Sequence, residues 1–108
     1  MAPFDIFIAC VAWDGGSKLR PVLVFGCCGE ELAVFKLTTR FEGKGEAVRS
    51  KFYKIAKWQK AGLEKQSYVD TNTVRILPKK AWVKRITIGR LTEVDVRGLL
   101  EFLMKQEK

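Results

Sequence analysis

The sequence predicts a mainly β fold that ends in one α-helix, and two patterns lead to this conclusion. Five or six short segments rich in apolar, aromatic and β-branched residues are separated by Gly, Pro and polar clusters, which is typical of strands joined by turns. The last segment instead repeats its apolar residues with helical spacing. Because a small sheet avoids exposed edges most economically by closing on itself, we expect a small, strongly bent β-barrel with a C-terminal helix.

The first two predicted strands are separated by a Gly-rich loop. Residues 4–13 are a run of Ile, Val and aromatic residues, and residues 14–17 have the composition of a mobile loop. The second strand covers residues 22–25. Pro21 cannot donate to a ladder, so we expect it at the first position of that strand.

The middle of the chain alternates between strands and polar segments. Gly26 and Gly29 flank a Cys pair and indicate a turn, and residues 31–39 form the predicted third strand. Residues 40–51 are polar and are interpreted as an exposed loop.

Shorter elements follow that loop. Residues 52–55 predict a short strand, and residues 56–61 predict one helical turn ended by Gly62. Two extended segments, 67–70 and 73–77, are separated by two polar residues.

The C-terminal segment carries the strongest pattern. Residues 83–91 predict the last strand, and Thr92 is a good N-cap for a helix over about 92–106. Glu93 and Asp95 fall in the first turn, where the helix dipole favours acidic residues. One apolar stripe follows at positions i, i+3, i+4 and i+7: Val96, Leu99, Leu100 and Leu103.

Size and charge limit the functional classes. With 108 residues the chain has room for one domain, which we take to cover 1–108. Twenty Lys and Arg against twelve Asp and Glu give a formal charge of +8. This excess favours an anionic partner, with nucleic acid first.

Several classes are disfavoured by what the sequence lacks. It has no His, which removes the commonest general base and zinc ligand, and we expect neither metal nor cofactor. Three Cys, two of them adjacent, make no disulfide framework. The first residues do not resemble a secretory signal, and no apolar run reaches the ~18 residues of a membrane span. We therefore expect a cytoplasmic protein.

Two strand ends carry candidate phosphate ligands. Arg20 and Lys18 stand at the mouth of the second strand beside the Gly-rich loop, where a guanidinium can hold a phosphate bidentately. The third strand ends in Thr38, Thr39 and Arg40, whose hydroxyls can donate to a phosphate oxygen beside a cation. The residues alone also allow a solvated strand start at Arg20, and Thr residues chosen only for their strand propensity.

The basic stretch over residues 36–60 is the third candidate. It holds eight cations against two acidic residues, with Phe41, Phe52, Tyr53 and Trp58 interleaved. Cations that follow a backbone, with aromatic rings for bases to stack on, are typical of single-strand binding. A solvated face that covers core aromatics is an equally weighted alternative.

Six segments occur in the order found in a known family. The first resembles the strand-entry signature of MazF/PemK-like toxins of bacterial and archaeal toxin–antitoxin systems, and the others follow with compatible gaps. The segments are 16–24 (GSKLRPVLV), 37–39 (LTT), 58–63 (WQKAGL), 65–69 (KQSYV), 73–77 (TVRIL) and 88–92 (IGRLT).

The resemblance implies a fold and an activity. The fold is an SH3-like barrel with a C-terminal helix, the MazF/PemK/CcdB-like architecture, usually as a homodimer. The activity is a metal-independent endoribonuclease that cleaves single-stranded RNA at short sequences and is neutralised by a cognate antitoxin. The family's strand-entry arginine corresponds to Arg20 and its threonine to Thr38, with Thr39 as the neighbouring possibility.

The remaining substrate-binding candidates combine residues near the two strand ends with two polar residues that the resemblance suggests. They are Ser17, Lys18, Arg40, Asp70 and Asn72, the last two matching polar positions of some relatives only in type. The loop before Arg20 lacks the His that some members carry, so the general acid and base stay unassigned.

Two rival hypotheses remain open at this point. One is an SH3-like module that binds RNA or a protein without cutting it, since small barrels host many functions. The other is an interaction protein whose basic face binds only an acidic peptide such as an antitoxin tail.

Overall fold

The computed structural model describes residues 2–12, 17–78 and 87–106, apart from the side chains of residues 10–12, 17–19 and 28. Most of the predicted loop at 14–17 and the first half of the predicted strand at 83–91 lie outside these residues. The elements follow one another as β1 (Asp5–Ala12), β2 (Ser17–Cys28), β3 (Glu31–Thr38), α1 (Glu46–Arg49), β4 (Phe52–Lys54), β5 (Tyr68–Pro78), β6 (Thr87–Arg90) and α2 (Glu93–Gln106).

The strands form one antiparallel sheet in the order β4-β5-β3-β2-β1-β6. Within the described residues β4 and β6 are edges, so the mainly β class is confirmed but the expected closure into a barrel is wrong. The segment after β4 contacts β6 closely. A Cβ built on Gly89 would overlap the Ala61 carbonyl oxygen, and one on Gly62 would lie 2.5 Å from the Ile88 carbonyl oxygen. A barrel would have closed through a hydrogen-bonded ladder between β4 and β6. At the edge of β6 the backbone of residues 61–62 packs against the strand instead.

Both faces of the sheet bury apolar side chains. Successive residues of a strand point to opposite faces, and in β2 Leu23 belongs to one core cluster while Val22 and Val24 belong to the other. The first cluster is completed by Leu99 of α2 and by Ile55 and Ala61. The second contains seven buried residues: Phe7, Ala9, Val22, Val24, Leu32, Val34 and Leu77. Burial on both faces explains the nearly continuous apolar runs of β1 to β3.

Pro21 lies inside β2 and not at its start, which corrects the prediction. β2 begins at Ser17, and Pro21 pairs with Ile8 of β1. The ladder to β3 begins one residue later, where Val22 pairs with Lys36. The missing N–H of Pro21 therefore falls where β2 has no ladder partner in β3, which is the position a strand tolerates.

The turn between β2 and β3 is smaller than expected. Gly26 lies within β2, next to a register shift after Val24, and the strand continues to Cys28. Only Gly29, with φ +60°, is in the turn itself. The side chain of Cys27 is exposed.

The predicted helical turn before Gly62 is confirmed, while the polar loop before it holds an unpredicted helix. The Ala61 N–H donates to the Lys57 carbonyl at 3.1 Å, and Gly62 ends the turn with φ +93°. Residues 40–51 are mostly exposed, as expected, but contain the short helix α1.

The two extended segments predicted at 67–70 and 73–77 are one strand with a bulge. Lys36 pairs with Asp70 whereas Phe35 pairs with Val74, so residues 71–73 have no partners in β3. Thr71 and Asn72, the two polar residues predicted to separate two strands, belong to this bulge.

Helix α2 is confirmed, with two corrections. Thr92 precedes the helix, but its Oγ1 is buried without a hydrogen-bond partner in the described part of the chain, so it does not act as the predicted cap. Leu99 is fully buried, whereas Leu100 is 41% exposed and lies outside the buried stripe. Asp95, four residues before Leu99 on the same helix, is fully buried instead. Neither helix in the described ranges has the length and apolar character needed to cross a bilayer.

Candidate functional site

Arg20 and Thr38 come from neighbouring strands. In the antiparallel pair of β2 and β3, Val22 is opposite Lys36. Arg20 lies two residues before Val22 and Thr38 lies two residues after Lys36, so both residues follow the same end of this ladder.

Both residues line a small pocket of about 140 Å³, here called the Arg20 pocket. Its wall contains two arginines, three residues that bear a hydroxyl, a leucine and a proline. The lining residues are Arg20, Pro21, Leu37, Thr38, Thr39, Arg40 and Ser67. The titratable groups in this wall are both cationic. A cationic, hydroxyl-bearing pocket of this size suits a single anionic group such as a phosphate, which Arg can hold bidentately.

The hydroxyl of Thr38 is oriented by the backbone. The Arg40 N–H donates to Thr38 Oγ1 at 3.0 Å. A threonine hydroxyl has one proton to donate beside its acceptor lone pairs. Because this contact uses an acceptor lone pair, the proton of Thr38 stays available for a ligand in the pocket.

A second and larger pocket adjoins the first. It encloses about 340 Å³ and shares Pro21, Thr39 and Ser67 with the Arg20 pocket. We call it the Leu63 pocket; its other lining residues are Ile8, Gly62, Leu63, Glu64, Lys65 and Ile88. The two pockets therefore adjoin each other near the end of β3, beside Pro21 of β2.

Comparison with solved structures identifies the architecture. The toxin MazF-mt6 of Mycobacterium tuberculosis superposes with a TM-score of 0.65, covering 96% of this chain and 94% of that chain at 20% sequence identity. The chain has a MazF-like toxin fold. No protein-family model and no curated protein sequence matches it.

Within the MazF-like fold, the predicted site residues at the strand ends come together. Thr39 and Arg40 line the Arg20 pocket next to Arg20 and Thr38. Ser17 and Lys18 belong to β2, with their backbones paired to β1, but their side chains are outside the described part of the structure. Asp14 and the cations at 79–86 lie outside it as well.

The polar pair in β5 has a different position. Asp70 and Asn72 line neither pocket. The side-chain amide of Asn72 donates to Asp70 Oδ1 at 2.8 Å and to the Val48 carbonyl at 3.1 Å. Thr71 Oγ1 donates to the Lys51 carbonyl at 2.6 Å. These hydrogen bonds hold the segment around α1 against the bulge of β5. We therefore assign these residues a structural role.

The aromatic residues of the basic stretch serve mainly as core. Phe52 is buried, Tyr53 packs edge-on against Phe102 of α2, and Trp58 packs against the first core cluster. Phe41 differs in its partner: it stacks on Tyr68, with ring centroids 4.7 Å apart, and does not belong to the first core cluster or to the residues packed against it. Three of the four aromatic residues thus agree with the alternative interpretation, in which the basic stretch is a solvated face that covers core aromatics.

Sequence reasoning missed Ser67 and the apolar wall. Ser67 is buried, donates from Oγ to the Lys65 carbonyl at 3.0 Å and borders both pockets. No local pattern signals Ser67: it precedes Tyr68, and the pairing of Tyr68 with Thr38 brings it to the pocket that Thr39 also lines. No cluster of three or more His, Cys, Asp or Glu able to hold a metal occurs within the described residues.

Proposed function

We propose that this chain is the toxin of a type II toxin–antitoxin system and acts as a sequence-specific, metal-independent endoribonuclease on single-stranded RNA. The MazF-like fold and the formal charge of +8 support this proposal. The observation that carries it is the shared pocket of Arg20 and Thr38. Residues 1–108 would then work as one toxin domain, in the cytoplasm where messenger RNA is available.

In the proposed reaction Arg20 binds the scissile phosphate, and the Thr38 hydroxyl donates to a nonbridging oxygen. Arg40 and Lys18 add positive charge as the phosphorus becomes pentacoordinate. The adjacent 2′-hydroxyl attacks in line, its oxygen forms a bond to phosphorus, and the bond to the 5′-oxygen breaks. The products are a 2′,3′-cyclic phosphate and a 5′-hydroxyl.

Proton transfer in this reaction falls to water, because an arginine side chain keeps its proton. The 2′-hydroxyl loses one proton and the leaving 5′-oxygen gains one, so the step is balanced. The described wall of the Arg20 pocket offers no carboxylate for either transfer, and the chain has no imidazole. We therefore expect catalysis to rest on positioning and charge stabilisation.

The proposal includes two protein partners. A second copy of the chain would complete a homodimer, and a cognate antitoxin would neutralise the toxin. The cationic surface favours an antitoxin segment that is acidic, because complementary charge accelerates encounter.

RNA cleavage in the presence of EDTA tests the proposal. A mixed-sequence single-stranded RNA should yield short fragments with cyclic phosphate ends, and Arg20→Ala should abolish them. Arg97→Ala is the matched control, since Arg97 is an exposed arginine of α2 paired with Glu93 and outside both pockets. Undiminished cleavage by folded Arg20→Ala protein would refute the assignment of the site.

A non-catalytic binding module is the second candidate. The observation in its favour is the absence of a carboxylate from the described wall of the Arg20 pocket. Tight binding of RNA that stays intact in the same assay would identify it. Binding of an acidic partner with no affinity for RNA would instead indicate an interaction protein.

A further inference from the structure

We propose that Arg49 of α1 is a second phosphate-binding site, which holds the RNA backbone at a distance from the scissile phosphate in the Arg20 pocket. This inference rests on the proposed function and adds an anchoring point for the same strand outside both pockets. Two observations carry it. Aromatic rings support the Arg49 guanidinium, and that group has no anionic partner among the described residues.

The aromatic support begins beside Thr38. Tyr68 is directly opposite Thr38 in the pairing of β3 with β5, and side chains at such positions have Cβ atoms about 4.5–5.5 Å apart. Phe41 stacks on the Tyr68 ring with centroids 4.7 Å apart, and Cζ of Arg49 lies 5.2 Å from the centroid of the Phe41 ring. We call Tyr68, Phe41 and Arg49 the Arg49 cluster; its contacts lead from the end of β3 to α1.

The guanidinium of this cluster is held in place but not neutralised. Nε of Arg49 is buried and has no hydrogen-bond partner within residues 2–12, 17–78 and 87–106. The terminal nitrogens are not among the buried atoms, and no carboxylate of the described residues pairs with them. A cation–π contact orients a guanidinium and leaves its charge intact. Arg49 therefore presents free N–H donors in a fixed position, as the bidentate binding of a phosphate requires.

The backbone on both sides of Arg49 is fixed to β5. The Val48 carbonyl accepts the side-chain amide of Asn72 at 3.1 Å. The Lys51 carbonyl accepts the N–H of Thr71 at 2.9 Å and its hydroxyl at 2.6 Å. A site that is formed before its ligand arrives loses less entropy on binding. The segment that carries Arg49 is thus prepared to bind a backbone phosphate.

The charge of the segment favours RNA as the ligand. Residues 40–51 carry four cations and two acidic residues, and the segment begins at Arg40, which lines the Arg20 pocket. A strand with one phosphate in that pocket can follow this positive segment to Arg49. Contacts of this kind raise the affinity for any sequence and position the strand without reading its bases. An acidic peptide is the alternative ligand, but the continuity with the Arg20 pocket favours RNA.

Binding of 2′-O-methyl RNA tests this inference without depending on cleavage, because the methyl group blocks attack by the 2′-oxygen. The probes are a mixed-sequence dinucleotide, which has a single phosphodiester, and a mixed-sequence octanucleotide. Arg49→Gln should weaken binding of the octanucleotide about tenfold and leave the affinity for the dinucleotide unchanged. Loss of one phosphate contact should also lower the slope of log K against log salt by about 0.7 for the octanucleotide.

Three further variants locate the effect. Arg49→Lys keeps the charge but not the planar stacking group, so it should restore the salt slope with an affinity between those of Arg49→Gln and the parent. Arg97→Gln removes an exposed arginine of α2 outside both pockets and should bind both probes like the parent protein. Arg20→Ala should weaken both probes, since each has a phosphate for the Arg20 pocket.

An octanucleotide affinity that does not change in Arg49→Gln would overturn the inference. An equal loss for both probes would overturn it too, because it would show that Arg49 only supports the fold. Weaker binding of a poly-glutamate peptide by Arg49→Gln, with RNA binding intact, would replace RNA by an acidic protein partner.

The same measurements separate this site from the proposed activity. Cleavage in the EDTA assay by a protein whose octanucleotide affinity is independent of Arg49 refutes the Arg49 site alone. Octanucleotide binding that depends on Arg49, without any cleavage in that assay, refutes the nuclease and leaves the Arg49 site standing.

Discussion

Tyr53 Oη donates a 2.8 Å hydrogen bond to Oδ1 of Asp95, a carboxylate that is fully buried. The same carboxylate accepts the backbone N–H groups of Ala56 and Lys57, each at 2.8 Å. Three donors thus compensate a charge that would otherwise be expensive to bury. The network joins α2, β4 and the turn that precedes the Leu63 pocket.

Removing the phenolic hydroxyl should lower the stability of the whole chain. Tyr53→Phe leaves Asp95 with two of its three donors, and a hydrogen bond to a charged group contributes about 1.5–3 kcal/mol. Urea unfolding should show a loss in the free energy of unfolding of about 2 kcal/mol. RNA cleavage by the folded variant should stay at the parent level, since Tyr53 borders neither pocket. A midpoint identical to the parent's would contradict this role.

The same pair predicts a dependence on alkaline pH. Burial, with the hydrogen bond and charge of Asp95, raises the pKa of Tyr53 above its ordinary value. In the unfolded chain the phenol loses its proton near pH 10, while the folded chain retains it. Above about pH 10 the folded chain therefore holds more protons than the unfolded chain. The free energy of unfolding then falls as the pH rises. The advantage of the parent over Tyr53→Phe should therefore be constant below about pH 10 and shrink above it; an advantage that grows with pH would disprove the assignment.

Gly98 allows the Tyr53 hydroxyl to approach α2. A Cβ at position 98 would overlap Tyr53 Oη, which Asp95 holds in place. Gly98→Ala should therefore destabilise the chain, although Ala exceeds Gly in helix propensity by about 1 kcal/mol. In the Tyr53→Phe background the same substitution should be markedly less destabilising. Equal effects in both backgrounds, measured by thermal unfolding, would show that the contact is not responsible.

Gly89 permits a close approach between the backbones of β6 and Ala61. A Cβ there would overlap the Ala61 carbonyl oxygen, and neither backbone can move without shifting β6 or the turn before Gly62. We expect Gly89→Ala to destabilise by about 3 kcal/mol, the upper end for overpacking. Gly45→Ala is the control, because Gly45 has φ −63° and no atom within 4 Å of the added Cβ. Chemical denaturation of the two variants should separate them clearly.

The hydroxyl of Thr38 provides the test of the proposed reaction. Thr38→Ala removes a donor to the phosphate oxygen, and loss of one such donor slows catalysis by about 10²–10³-fold. Thr38→Ser keeps the hydroxyl and should cleave RNA at close to the parent rate. Single-turnover cleavage with both variants measures this difference. A Thr38→Ala variant as fast as Thr38→Ser would remove Thr38 from the proposed mechanism.

Local signals predicted the elements that depend on local physics. β3 and α2 appear within one residue of their expected limits, since alternation and helical periodicity are properties of consecutive residues. Gly62 ends its turn as expected, because only a residue without a Cβ adopts φ +93° easily. The buried stripe of α2 was misjudged at Leu100, since Asp95 and its three donors, distant in sequence, decide which side faces the core.

The amino-acid sequence alone determined the strand-rich architecture, the terminal helix and the candidate pair of Arg20 and Thr38. The tertiary structure decided which polar residues share a pocket: Ser67 borders it and Asp70 does not. It also decided that the sheet stays open where Gly62 packs on β6. The physical reason is that register and sheet curvature depend on contacts between segments far apart in the chain, and no pattern of neighbouring residues encodes those distances.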